Sequence, residues 1–463
     1  EFSKMNYKLI NKFNFNFLKF LYLFFLLITG ASFLYVFLFI LFPENSKYYV
    51  ANVLIENYSN YFDLNYYVPI SYDLEKYIDG VKDFNSIITY EYNYQTRPLY
   101  ILYIKLFWNP LSGIIENEIL LNFLVFIIVH IGILSISTFI FFRFLINSGF
   151  EITKSKEILI LIIFLLNPVF KWGVFDSAHQ TLTFLMFIMT AYIIKNKNIE
   201  NRKAYFFCFI VGIFCLASEF FILSSIFIIY NQFIYLMKKD KNYIFILPSI
   251  LFLLLPSILW RSYIVMNGYV PYNANFEYWN QFVWLPKNLL GGYENVNFNL
   301  DKHEFYCMDI PLFIRCYLND LVKTIYYLSV PLIIFLINYF YMKDDTKEKF
   351  KKVSLNLILI CCVIFISTAF IGWYPPIRLN LYSLGHLITV LFGIQLLLTL
   401  NKQLAFSSFL TYFTYSIFLN HWNSPNIIEF NFGIGLSLLL TVFHLIVTKR
   451  NSNYLSNNSY QKE

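Results

Sequence analysis

Residues 119–142 read ILLNFLVFIIVHIGILSISTFIFF. The stretch contains no Lys, Arg, Asp or Glu, and about 20 helical residues are enough to cross the roughly 30 Å hydrocarbon layer of a bilayer. A run this long with no polar face toward water reads as a membrane-spanning helix. Similar runs recur at 18–41, 158–170, 178–194, 204–216, 220–237, 243–265, 321–342, 353–371, 381–400, 404–419 and 430–447. The reading is therefore an all-α, polytopic transmembrane helical bundle of about 12 spans. The runs at 158–170 and 204–216 are short and would also suit re-entrant pairs with their neighbours.

Composition agrees with this class. Hydrophobic residues make up 58% of the 463 positions and charged residues 14%, which leaves too little polar surface for a soluble fold. The net charge of +7 does not indicate nucleic acid, because Lys and Arg fall in short clusters between apolar runs rather than along one basic stripe.

Those clusters alternate along the chain, and positive loops stay cytoplasmic. Arg143, Lys154 and Lys156; Lys195, Lys197, Arg202 and Lys203; Lys238, Lys239 and Lys241; Lys343 to Lys352; and Lys449 with Arg450 define one face. It is read as cytoplasmic, with both termini, in a multi-pass protein of a bacterial inner membrane. The other face holds two long loops, 43–118 and 266–320, and short turns at 171–177, 218–219, 372–380 and 420–429. Long loops between spans tend to carry function. Cys307 and Cys316 lie in the second of them, where an oxidising compartment would permit a disulfide. The other four cysteines, Cys208, Cys215, Cys361 and Cys362, lie in apolar runs and read as packing residues.

The first long loop contains Ser71-Tyr-Asp73-Leu-Glu75-Lys-Tyr77 and then Thr96-Arg97-Pro98-Leu99-Tyr100. A carboxylate and a guanidinium on one external loop are the minimum for a general base facing an anionic leaving group. Taken alone, Asp73 and Glu75 suit a solvated helix face better than a catalytic role. The segment 99–108 is aromatic and apolar but too short to span, so it is expected as a short interfacial helix.

This layout resembles the GT-C superfamily of membrane glycosyltransferases that use polyprenyl-phosphate-linked sugars, in its aminoarabinose-transferase and protein-mannosyltransferase-like branches. Asp73 followed four positions later by Tyr77, and the Arg97-Pro98-Leu99 step before the next span, carry the resemblance. Asn167-Pro168 before a turn with Asp176 and His179, the helical hairpin turning at Glu219, and Trp260-Arg261-Ser-Tyr263 before Asn267-Gly268 are similar in order. It covers residues 1–270 as a catalytic module, leaving 271–320 as a second outer loop and 321–463 as C-terminal helices and tail. The sequence departs in having Leu74 where many members carry a second acid, so Asp73, Glu75 and Asp63 all stay open as the base.

The resemblance implies inverting sugar transfer from a polyprenyl-phosphate donor to a hydroxyl of a lipid, glycan or protein acceptor. Asp73 or Glu75 would act as base, with Tyr77, Arg97, Asp176, His179, Glu219, Arg261 and Arg378 contacting substrate. Arg97, Arg261 and Arg378 suit phosphate, since a guanidinium fork matches phosphate oxygens bidentately. Arg261 and Arg378 suit head-group anchoring equally well, and Asp176, His179 and Glu219 suit a purely structural role. Pro375-Pro376 would stiffen the turn before Arg378. No Cys/His metal spacing, phosphate-cradling Gly loop or Gly-x-Ser-x-Gly elbow is present. A divalent cation would match some relatives, although no Asp-x-Asp pair supports one. Two other readings stand: an O-antigen polymerase or ligase, suited by Arg315 and the aromatic stretch 278–286, and a lipid or solute transporter, which would require ionisable groups inside spans.

Overall fold

The computed structural model describes residues 17–41, 74–89, 93–167, 181–195, 199–272, 318, 321–322, 325–326, 328–342, 344–371, 381–399, 402–418, 434–446 and 448–449. All regular structure among them is helical. Four segments are long and apolar enough to cross a membrane: Leu124–Asn147, Glu219–Lys238, Tyr243–Met266 and Asp344–Ser367. The run at 18–41 forms a 25-residue helix, and the helices described in the remaining apolar runs are shorter than the roughly 20 residues a span needs. The helices Lys154–Leu165, Thr181–Lys195 and Asn201–Cys215 hold 12, 15 and 15 residues.

The centre of the bundle is the 30-residue helix of the quoted stretch. We number the helices in chain order: α1 (Phe17–Leu41), α2 (Leu74–Lys82), α3 (Pro98–Ser112) and α4 (Glu118–Asn147). These are followed by α5 (Lys154–Leu165), α6 (Thr181–Lys195), α7 (Asn201–Cys215), α8 (Ile222–Lys238) and α9 (Ile246–Met266). Helices α1, α3 and α6 pack on α4, burying Val125, Val129, Ile133, Phe141 and Phe144. Both α4 and α9 end on a glycine in the left-handed region, Gly149 at φ 81° and Gly268 at φ 82°. The residue after each glycine donates its amide back into the helix, Phe150 to Leu145 and Tyr269 to Ile264, which closes the last turn as a Schellman cap.

Helix α7 packs closely against α9. A Cβ on Gly212 would overlap the Leu253 carbonyl oxygen and crowd Pro256. Small residues let helix backbones meet in this way where apolar lipid offers no competing driving force. Most of α9 remains outside this contact, with Leu247, Leu251, Leu254, Ile258 and Leu259 exposed.

The C-terminal helices α10 (Ser329–Phe340), α11 (Asp344–Ile371), α12 (His386–Leu398) and α13 (Lys402–Phe418) and a last apolar helix, α14 (Ile434–Ile446), complete the bundle. Helix α12 joins this half to α5.

Polar contacts group the helix ends into two sets. At one end, Lys19 Nζ pairs with Glu157 Oε1 at 2.6 Å and Lys156 Nζ donates to the Leu397 carbonyl at 2.7 Å. There too, Gln232 ties α8 to Asn201 at 3.0 Å and to the Phe245 carbonyl at 2.9 Å. These are the lysine-bearing ends. The opposite end gathers the start of α3, the α7–α8 turn and the start of α6.

The segment 99–108 lies within helix α3. It runs antiparallel along the first half of α4: Tyr100 faces His130, and Trp108 Nε1 donates to Asn122 Oδ1 at 3.1 Å. Its Tyr100, Ile101 and Ile104 face is buried, while Leu102 and Leu106 on the other side stay exposed. Packing on α4 buries this apolar face and also satisfies the Trp108 indole N–H. The four described cysteines form no disulfide. Cys307 and Cys316 lie outside the described residues, as does most of the second long loop.

Candidate functional site

The site is built at the start of α3. Pro98 occupies the first helical position, where a missing N–H costs nothing, and Arg97 is the residue before it. The Leu99 amide donates to the Leu216 carbonyl at 3.1 Å, which brings the start of α3 against the end of α7. One turn beyond, Glu219 opens the 3₁₀ turn Glu219–Phe221 that leads into α8.

Arg97 Nε donates to Glu219 Oε2 at 3.1 Å and Nη2 donates to Oε1 at 2.7 Å. This is the two-point fork geometry of the strongest charge-assisted hydrogen bonds. Arg97 Nη1 donates to the Tyr77 hydroxyl at 3.1 Å. Tyr77 comes from α2, is fully buried, and meets Tyr100 edge to face at a centroid distance of 5.3 Å. Lys105 Nζ donates to the Val81 carbonyl at 2.7 Å, so α2 runs alongside α3. Two residues that the sequence places 20 and 122 positions from Arg97 thus converge on its guanidinium.

The two charges are not equally covered. The Arg97 side chain is 6% exposed and that of Glu219 50%. Burial opposes the charge on Arg97, but Glu219 and then Tyr77 outweigh it and hold the guanidinium pKa well above its ordinary value. The cation is permanent. Three of the five guanidinium N–H groups are used, which leaves one on each Nη without a partner among the described residues. Beside Glu219, the Ser218 hydroxyl is buried and has no hydrogen-bond partner among the described residues.

Arg261 lies near this end on α9. It is exposed and forms no ion pair among the described residues. Its neighbour Trp260 donates its indole N–H to the Gln95 carbonyl at 2.6 Å, and Gln95 Oε1 accepts from the Tyr272 amide at 2.5 Å. The end of α9 is thereby fastened two residues before Arg97.

The arrangement brings Tyr77, Arg97 and Glu219 together and sets Arg261 close by in the fold. Asp73, Asp63, Asp176, His179 and Arg378 lie outside the described residues, with Pro168, Pro375 and Pro376. Glu75 lies on α2, with its side chain outside the described set. No group of three metal-ligating side chains occurs among the described residues.

Sequence reasoning passed over the histidines inside apolar runs. His386 is buried on α12, where Asn167 Nδ2 donates to Nδ1 at 3.2 Å and Nε2 reaches Thr183 Oγ1 at 3.0 Å. His444 is buried on α14, with Nδ1 at 2.6 Å from Ser407 Oγ and Nε2 at 3.1 Å from Asn338 Oδ1. His130 Nδ1 lies 2.7 Å from Thr181 Oγ1. The signal was available: an ionisable residue in an apolar run marks a polar partner on a neighbouring helix. No family model, curated protein or solved structure matches this chain.

Proposed function

We propose that this chain is a multi-span membrane enzyme that transfers a sugar from a polyprenyl-phosphate donor to an acceptor hydroxyl, on the face of the membrane opposite the lysine clusters. The observation that carries the reading is the convergence of Arg97, Tyr77 and Glu219 where the first long loop docks on the bundle. A buried, permanently charged guanidinium with unused N–H groups is a group that stabilises a departing phosphate.

Orientation follows the positive-inside rule, supported by the grouping of Lys19, Lys156 and the other lysine-bearing ends on the far side from Arg97. About 12 spans with both termini cytoplasmic, in a bacterial inner membrane, complete this reading. Asp73, immediately before α2, is the proposed base. It removes the acceptor proton as the hydroxyl attacks the anomeric carbon, the glycosidic C–O bond to phosphate breaks, and the phosphate leaves as an anion. Arg261 offers a second, exposed cation to the same leaving group.

The test is turnover of a polyprenyl-phosphate sugar in reconstituted membranes. Asp73→Asn is expected to lower it by roughly 10²–10⁴ with donor binding retained. Full activity in Asp73→Asn, Glu75→Gln and Asp63→Asn, each tested alone, would overturn the reaction class. The transporter reading draws on the three buried histidines. It gains ground if His386→Leu abolishes substrate flux while those three carboxylate variants all stay active.

A further inference from the structure

The Arg97–Glu219 pair has one half-exposed member and one buried member. Arg97 is buried, is held from a second side by Tyr77, and sits where the Leu99 amide is bonded to α7. Glu219 is half exposed and opens a short 3₁₀ turn. Its carboxylate fills the guanidinium fork in the same two-point geometry that a phosphate monoanion or dianion adopts. The buried guanidinium keeps further N–H groups that a two-oxygen carboxylate on one edge does not reach, whereas the phosphate monoester that the lipid carries once the sugar has left offers three terminal acceptor oxygens. An under-satisfied buried donor is costly. An anion richer in oxygens than a carboxylate would remove that cost.

We propose that Glu219 is an internal counter-anion that the phosphate monoester of the polyprenyl lipid, the group left when the sugar departs, displaces from Arg97. In the empty protein the carboxylate neutralises the buried cation and closes its site. When the lipid phosphate monoester is present, Glu219 swings into solvent, which its exposure permits, and the phosphate takes the fork together with the free N–H groups. No covalent bond changes in this exchange. It rests on the reading of the substrate as a lipid-linked phosphate and adds that the site is self-occluded: part of the intrinsic affinity is spent on displacing Glu219, as for any ligand whose competent state is a minority population.

The test uses the full chain in detergent micelles with a short-chain polyprenyl monophosphate and, separately, inorganic phosphate. Removing the internal competitor is expected to tighten binding of the lipid phosphate by about tenfold in Glu219→Gln, with Arg97→Gln abolishing the gain. The lipid phosphate is also expected to raise the melting temperature of Glu219→Gln by more than that of the wild type. Glu219→Asp, whose shorter arm keeps the charge but cannot span both Nε and Nη2, is expected to show a smaller gain of the same sign, and it serves if the Gln variant does not fold. Unchanged or weaker binding in both variants would overturn the exchange. An equal gain for inorganic phosphate would overturn the lipid as its ligand. If the gain appears but no sugar is transferred to any acceptor, the exchange stands and the glycosyltransferase reading falls. If sugar is transferred without the gain, only the exchange falls.

Discussion

The two halves of the bundle solve the problem of a buried polar group differently. At the start of α3 the group is a full charge, Arg97, and the fold answers with a carboxylate from a distant turn and a phenol. Among α10, α13 and α14 the groups are neutral: Asn338, Ser407, Ser408 and His444 satisfy one another across three helices. Desolvating a charge costs several kcal/mol or more, whereas a neutral hydrogen-bonding group costs far less. The first half is therefore brittle toward loss of a single partner, and the second is tolerant. A neutral network suits a structural seam. A buried charge with spare donors suits a ligand.

The sharpest way to break this comparison is to remove each member of the ion pair in turn. Glu219→Ala strands a buried cation and is expected to cost about 3–5 kcal/mol. Arg97→Met leaves a carboxylate that can turn into water, so about 1–2 kcal/mol is expected, set by the lost hydrogen bonds. Chemical unfolding in micelles would measure both. Equal losses would show that the exposure difference does not govern the pair.

A smaller effect tests packing rather than charge. Gly212→Val forces a side chain against the Leu253 carbonyl, and overpacking of this kind costs about 1–3 kcal/mol. Its loss should appear as faster hydrogen exchange along α7 and α9, with the C-terminal helices unaffected. In the neutral seam, His444→Leu is expected to cost only about 1 kcal/mol, in line with interhelical hydrogen bonds in membranes. A loss above that of Glu219→Ala would reverse the contrast between the halves. The smallest effect belongs to Lys82→Ala. Its 2.6 Å bond to Glu118 joins two well-exposed side chains, and such pairs are worth about 0–1 kcal/mol and fade with salt.

The helices were readable from residue order because each apolar run reports its own burial. The quoted stretch became α4, and the run at 243–265 became α9 with its short 3₁₀ entry. Span number was less readable, since helices enclosed by other helices are less constrained by bilayer thickness than those facing lipid. Arg97 stood out beside Pro98, and Tyr77 as the residue four positions after Asp73 on the same loop. Their link to Glu219 was hidden: no local spacing rule joins residues 122 apart, and a lone acid at a helical turn is ordinary. The α3–α4 hairpin was missed for a related reason. A short aromatic segment looks the same in sequence whether its apolar face meets lipid or a neighbouring helix. The histidines were overlooked because an apolar average absorbs one imidazole, while pairing depends on which helix lies opposite.

The separation between Arg97 and Glu219 also sets an order of events while the chain is being made. Helices α3, α4, α5, α6 and α7 must all leave the ribosome before the carboxylate that neutralises Arg97 exists. Through that interval Arg97 lacks the carboxylate that it forks onto in the finished fold. The α7–α8 turn then closes the N-terminal half from the far end, so the proposed site is completed by the arrival of its last helical hairpin and not by the loop that contributes most of its residues.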